Sequence, residues 1–274
     1  MKNLVTTFRK LHDEPNLLIL PNVWDAGSAR VFEDAGAKAV ATTSAGMAWA
    51  LGYQDGNVLP TDKLAAIVTS ITKVISIPLS VDFEGGFTDN PKEIAKKLKP
   101  IIEAGAVGIN IEDGEGKPEL LAGKIEQARK TADSAGVKLF INARTDIYLN
   151  DSESPEKQIQ ETIARAALYR DAGADGIFVP GLCEVGAVKA IVPEVKMPLN
   201  VMAWPGLPAA NQLSKLGVRR LSSGQTITQV LWKHAADLAK NFLETGDSQP
   251  LTENSMGYSK LQGLFGNKKL EHVA

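Results

Sequence analysis

One phrase recurs five times along the chain and restricts it to a narrow set of folds. It reads Glu33-Asp-Ala-Gly36-Ala-Lys-Ala-Val-Ala-Thr-Thr43, then Glu103-Ala-Gly105-Ala-Val-Gly-Ile-Asn-Ile-Glu112, then Ser134-Ala-Gly136-Val-Lys-Leu-Phe-Ile-Asn-Ala-Arg144. Two more copies are Asp171-Ala-Gly173-Ala-Asp-Gly-Ile-Phe-Val-Pro180 and Lys215-Leu-Gly217-Val-Arg-Arg-Leu-Ser-Ser223. Each is a helix end, a glycine free to take the left-handed conformation that stops the helix, and a short apolar strand. Strands separated by helices imply βα units and a parallel sheet.

Filling the gaps gives eight strands: Leu17–Pro21, Lys38–Thr42, Ile77–Asp82, Val107–Glu112, Lys138–Arg144, Gly176–Pro180, Pro198–Met202 and Val218–Ser222. Helical patterns lie near 25–35, 61–75, 91–104, 119–135, 155–172, 183–192 and 208–216. Pro91 and Pro155 suit a first helical turn, and Thr61 and Ser154 read as N-caps. Eight such units in 274 residues match an α/β fold of the (β/α)8 TIM-barrel type, read as one domain spanning 1–274. A doubly wound open sheet competes, but no G-x-G-x-x-G follows the first strand. Outside the repeat, Lys2–Leu11 reads as a short helix. Thr226–Leu243 reads as a long apolar-periodic one, followed by a polar turn and a tail to Ala274.

A net charge of −2 gives no footprint for nucleic acid or an anionic membrane. The single cysteine, Cys183, fits a reducing compartment. Met1–Glu14 has no apolar signal core, and no apolar run approaches the ~20 residues of a membrane span. A cytoplasmic location is expected.

In such a barrel chemistry sits at the carboxyl ends of the strands. The third strand runs apolar into Asp82-Phe-Glu84 and breaks at Gly85-Gly86. In an extended backbone both acids leave on one face, and with no adjacent Lys or Arg they repel unless a cation lies between them. Oxygen-only ligands suit Mg²⁺ or Mn²⁺. The alternative is two solvated acids at a loop mouth. Other strand ends tip the balance: Glu112 and Asp113, Arg144 and Asp146, Asn200, and the Thr42–Gly46 turn with its following loop Gly52-Tyr-Gln-Asp55-Gly56.

Other residues draw plainer readings. Asp113 could pair with Arg144 or cap the next helix, and Asp146 reads as the group that holds the Arg144 guanidinium. Ser44-Ala45-Gly46 reads as a helix start whose N–H groups could hold an oxyanion. Cys183 reads as a small packed hydrophobe rather than a nucleophile. His12, His234 and His272 fall outside the strand ends and are poor general bases. Trp24, Trp49, Trp204 and Trp232 read as core or interface filling.

Several strings together resemble the phosphoenolpyruvate mutase/isocitrate lyase superfamily, from about Leu17 to the end. They are Leu20-Pro-Asn-Val-Trp-Asp25-Ala-Gly-Ser-Ala-Arg30, Thr43-Ser44-Ala-Gly46 and Leu51-Gly-Tyr-Gln-Asp55. Val81-Asp82-Phe-Glu84-Gly-Gly-Phe87, Asn110-Ile-Glu112-Asp113 and Asn142-Ala-Arg144-Thr-Asp146 complete the set. The resemblance implies a Mg²⁺-dependent barrel acting on 2-oxo acids and their phosphorus analogues. Asp82 would touch the metal directly, with Asp55, Glu84 and Glu112 holding it through water. Ser44, Ala45 and Gly46 would bind the carboxylate and keto oxygen, Asn200 would add a substrate contact, and Arg144 would take the far anionic group. Ser44, Asp55 and Arg144 are the residues expected to carry the chemistry. The resemblance also implies a homotetramer in which the last barrel helix, here Thr226–Leu243, swaps between neighbours.

The departures from the family pattern bear on the reaction. Lyases of the family carry Lys-Lys-Cys-Gly-His after the fourth strand, where this chain has Asp113-Gly-Glu-Gly-Lys-Pro-Glu. They place a glutamate after the sixth strand, where Pro180-Gly181 stands. The Asn or Thr of the mutase and phosphonopyruvate hydrolase loop is missing too, and Glu84-Gly85-Gly86 replaces the usual Asp-Thr-Gly. In the short loop Lys117 is the one side chain that could close over an anion, although a solvated surface lysine is the simpler reading. The chemistry needing least from side chains is decarboxylation of an oxaloacetate-like acid through a metal-stabilised enolate. Carbon–phosphorus chemistry and non-catalytic binding of a 2-oxo acid are the alternatives.

Overall fold

The five glycines of the repeat do what their spacing predicts. Gly36, Gly105, Gly136, Gly173 and Gly217 all take positive φ, from 68° to 109°, each between a helix and the next strand. The computed structural model describes residues 2–13, 15–149, 153–253 and 255–266; His272 and the end of the tail lie outside them. The sheet is parallel throughout and folds as a (β/α)8 TIM barrel.

Its first strand differs from expectation. Leu17–Pro21 is not one ladder: β1 (Leu18–Leu20) pairs with the last strand, and β2 (Asn22–Val23) pairs with the next one along. Pro21, between them, has no N–H to give but accepts from Ala41 N–H at 3.1 Å. The chain itself therefore closes the ring at this point. The strands that follow are β3 (Val40–Thr42), β4 (Leu79–Asp82), β5 (Gly108–Glu112) and β6 (Phe140–Arg144). After them come β7 (Gly176–Phe178), β8 (Leu199–Met202) and β9 (Arg220–Ser222).

The helices are α1 (Lys2–Asp13), α2 (Ala26–Asp34), α3 (Ser44–Ala50), α4 (Thr61–Val74), α5 (Ile94–Glu103) and α6 (Pro118–Ser134). Then follow α7 (Pro155–Asp171), α8 (Val185–Val195), α9 (Ala210–Lys215), α10 (Thr226–Thr245), α11 (Gln249–Thr252) and α12 (Tyr258–Gly266). Ser154 caps α7, accepting from Lys157 N–H at 3.3 Å. Thr61 does not cap α4: Pro60 is the N-cap and Thr61 the first helical residue. Pro91 opens a short 3₁₀ turn capped by Asn90 rather than α5 itself.

Alternate strand residues build two layers. Leu79, Val81, Ile109, Ile111, Ile141, Ile177 and Val201 face outward into the helices and form the larger core. Inside, α1 plugs the amino-terminal end, where Val5 and Phe8 pack on Leu18, Leu20, Ala39, Ala41, Val107 and Phe140. His12 stacks on Phe140 with 4.0 Å between ring centroids. Above this plug Asn142 Nδ2 donates to Asn110 Oδ1 at 2.9 Å and to Asn200 Oδ1 at 3.1 Å. Arg220, 1% exposed, donates to the same Asn110 oxygen at 3.3 Å.

The outer wall is incomplete at one place. A groove of about 840 Å³ runs over β1 and β9, lined by Leu11, Ile19, Phe32, Leu207 and Leu221 among others, and Ile19 is 60% exposed. The helix after the last strand would cover it in a closed barrel. Instead α10 stands away with only Thr228 buried, leaving Val230, Leu231, Trp232, Phe242 and Leu243 exposed. No helix among the described residues is long and apolar enough to cross a membrane.

Candidate active site

Strand ends and the loops after them converge on a cavity of about 250 Å³ at the carboxyl end of the barrel. Ser44, Ala45, Asp55, Asp82 and Arg144 line it, together with Asn110, Phe178 and Trp204. Trp49 also lines it, so two of the four tryptophans read as filling belong to this wall.

Asp82 is the last residue of β4, and both its oxygens are accounted for by position. Oδ2 faces the Ser44 N–H at 3.3 Å. Oδ1 is buried with no hydrogen-bond partner among the described residues. Burial raises its pKa and the Arg144 charge pulls it back. Arg144, ending β6, is gripped in plane by Asp146: Nε to Oδ1 at 2.6 Å and Nη2 to Oδ2 at 3.0 Å. Its Nη1 stands 2.8 Å from Glu112 Oε2, an ion-pair distance off the hydrogen-bonding direction, so that oxygen too lacks a hydrogen-bond partner. Burial works to lower the Arg144 pKa, but Glu112 and Asp146 outweigh it and raise it. Its guanidinium carbon lies 5.7 Å from the Phe178 ring centroid.

Glu84 and Glu112 flank this cavity rather than line it. Glu84 is 3% exposed and takes φ 46°, and its carboxylate accepts the Asn57 N–H. Burial pushes its pKa up to about 7. Burial likewise pushes Glu112 up to about 8, against the pull of Arg144. In both, loss of hydration is the largest cause of the rise.

Gly46 and Asn200 sit back from the cavity. The Gly46 N–H faces the Thr43 Oγ1 cap at 3.5 Å, and a Cβ there would stand 2.9 Å from Thr228 Oγ1 of α10. Asn200 belongs to the amide layer inside the barrel. Asp113 neither pairs with the Arg144 guanidinium nor caps α6, whose N-cap is Lys117. It accepts from Arg165 Nη1 at 2.9 Å, Tyr169 OH at 2.6 Å and Asp146 N–H at 3.0 Å, and so ties α7 to the strand ends.

A divalent cation fits the residues present. Asp82 offers a buried oxygen with nothing to accept, and Asp55, Glu84 and Glu112 bring further acid around it. No three His, Cys, Asp or Glu side chains among the described residues could hold an ion between them. Asn57 was invisible as a site residue in the sequence. Its only signal was its place in the Asp55-Gly-Asn57 turn.

The barrel is one that the chain shares with known proteins. The family model described as phosphoenolpyruvate phosphomutase matches residues 8–243, and the chain belongs to that family, within the phosphoenolpyruvate mutase/isocitrate lyase superfamily. A Burkholderia cenocepacia J2315 crystal structure, assigned as a phosphonomutase, is 39% identical with TM-score 0.83, covering 87% of this chain and 99% of that one. An uncharacterised Mycobacterium tuberculosis protein is 32% identical over 260 residues, 93% of this chain and 95% of the relative. Oxaloacetate decarboxylase of Paraburkholderia xenovorans is 29% identical over 210 residues, 72% of this chain and 68% of the relative.

Proposed function

We propose that this chain is a Mg²⁺-dependent lyase that cleaves a carbon–carbon bond in a small 2-oxo acid, with an oxaloacetate-like acid as the decarboxylated substrate. Relatives in the superfamily are lyases and mutases, oxaloacetate decarboxylase among them, which supports the coarser reading of an enzyme on small organic acids. One observation carries the finer one: the unpartnered Asp82 Oδ1 and the Arg144 guanidinium belong to a single small cavity.

Asp82 would hold the ion directly, and Asp55, Glu84 and Glu112 through water; Mn²⁺ would serve in place of Mg²⁺. When bound, the ion supplies Lewis acidity that stabilises an enolate. The Ser44 hydroxyl and the Ala45 wall orient the 2-oxo acid end. Arg144, fixed by Asp146, positions the far carboxylate; its C–C bond to C3 breaks, CO₂ leaves and the electron pair stays on the enolate. No Cys or His stands in the Asp113–Lys117 loop, and Lys117 is exposed. Water therefore returns the proton to C3.

The second reading, phosphonomutase-type cleavage at phosphorus, is favoured by the assignment of the 39% identical structure. Arg144 would accept a phosphonate as readily as a carboxylate. The open wall supports an assembly in which a partner's α10 would lie in the groove over β1 and β9, giving helix-swapped dimers that pair into a homotetramer. The assay is pyruvate formation from oxaloacetate with Mg²⁺, less the rate with Mg²⁺ alone. Turnover that vanishes in Arg144→Met supports the proposal; a rate no higher than the ion alone sinks it.

A further inference from the structure

Four non-glycine residues among those described take positive φ: Asn57 at 61°, Glu84 at 46°, Phe87 at 56° and Lys196 at 54°. Lys196 merely ends α8. The other three meet in one knot beside the candidate ion site. Such a conformation is strained for a side-chain-bearing residue and persists where its surroundings enforce it.

Asn57 does the enforcing. Its side-chain Oδ1 accepts two N–H groups, from Gly85 at 3.0 Å and Phe87 at 3.1 Å. Its own N–H donates to the Glu84 carboxylate. The amide lies so close to Gly85 that a Cβ there would come within 3.1 Å of Asn57 Nδ2. From the other side Lys124, its side chain 7% exposed, reaches from α6 to donate to Gly85 O at 2.7 Å. Glu84 O in turn accepts Glu112 N–H at 3.0 Å. A buried lysine costs free energy unless its donors are used, and here one is spent on a backbone carbonyl of the turn.

We infer that Asn57 is a positioning residue for the divalent ion, clamping the Asp55 loop to the Glu84 turn so that Asp55, Glu84 and Glu112 move as one body. Lys124 holds the same turn from α6. The inference rests on the metal reading above and adds the part that sets the outer carboxylates. Without the Asn57 oxygen, two amides lose their acceptor and Glu84 relaxes toward negative φ. Its carboxylate then swings off the site.

The test compares Asn57→Gly, Asn57→Asp and Lys124→Met with the wild type. Mg²⁺ and Mn²⁺ affinity is read by calorimetry, and amide exchange at Gly85 and Phe87 is read in metal-free protein. Glycine suits the positive φ, so Asn57→Gly relieves strain while removing the clamp. It should keep its thermal midpoint, lose about 10–100-fold in ion affinity and exchange both amides faster. Asn57→Asp keeps an acceptor for both amides and should hold the ion at least as well. Lys124→Met should weaken ion binding less than Asn57→Gly, and it carries the test should that variant misfold. Undiminished affinity in Asn57→Gly, or in Lys124→Met if the glycine variant is unfolded, overturns the clamp alone. A wild type that binds neither ion refutes the metal reading and takes the inference with it.

Discussion

Protonating His12 should weaken this barrel from beneath, at its amino-terminal plug. The ring is 2% exposed, stacked on Phe140 at 4.0 Å, edge-on to Phe8 at 4.7 Å, with Nδ1 2.8 Å from Phe8 O. Burial, then the charge of Arg220, lowers its pKa from 6.5 to about 3; Arg9 adds to the lowering, while the Phe8 hydrogen bond and Asp175 oppose it. The folded chain therefore keeps His12 neutral where the unfolded chain protonates it. The His12 contribution is intact above pH 6.5 and is lost as pH drops through the window between 6.5 and about 3. At about 1.36 kcal/mol per pH unit the loss reaches about 5 kcal/mol below both values and about 2 kcal/mol at pH 5. The raised Glu84 and Glu112 slope the other way, since protonating them favours the fold. Comparison with His12→Phe cancels that term and keeps the aromatic packing. Urea unfolding at pH 8 and pH 5, at one protein concentration, should show the wild type losing about 2 kcal/mol more than His12→Phe. Equal acid sensitivity in the two proteins would refute the argument.

The raised carboxylates make ion binding pH-dependent. Burial pushes Glu84 up to about 7 and raises Glu112 as well, so Mg²⁺ affinity should rise from pH 6 to 8 with proton release. Calorimetry at pH 7 in buffers of different ionisation heat reads this, and identical heats would contradict it. Cys183 is part-buried and burial raises its pKa, so the thiol form prevails at neutral pH. Cys183→Ala should keep full turnover, and inactivation by thiol alkylation would show a missed proton donor. Sedimentation should give a tetramer at micromolar concentration, and Ile19→Asp, which puts a charge in the open groove, should yield smaller species. A stable wild-type monomer removes the swapped-helix proposal.

The recurring glycine phrase made the barrel legible because a left-handed helix end and a short apolar strand are both local. The broken first strand was not legible. Whether Pro21 interrupts a ladder depends on β3 and β9, which lie far along the chain. Asp82, Glu112 and Arg144 showed because polar residues at apolar strand ends are conspicuous. Asp113 stood at such an end too, yet its partners Arg165 and Tyr169 sit on α7, 52 and 56 residues on, where nothing local marks them. Thr61 looked like a cap by residue type, but the chain enters α4 one residue earlier, at Pro60. Asn57 was hidden for the opposite reason, in a turn where asparagine is commonplace.

The account turns on where the ion sits. A crystal of the protein grown with Mn²⁺ and oxalate, a planar mimic of the enolate, locates it by anomalous scattering. The account predicts one peak in the cavity between Asp82 and Arg144, bonded directly to Asp82 at about 2.0–2.2 Å, with Asp55, Glu84 and Glu112 reached through water. A peak bonded to Glu112 or Glu84 instead of Asp82, or no peak in that cavity, would contradict it.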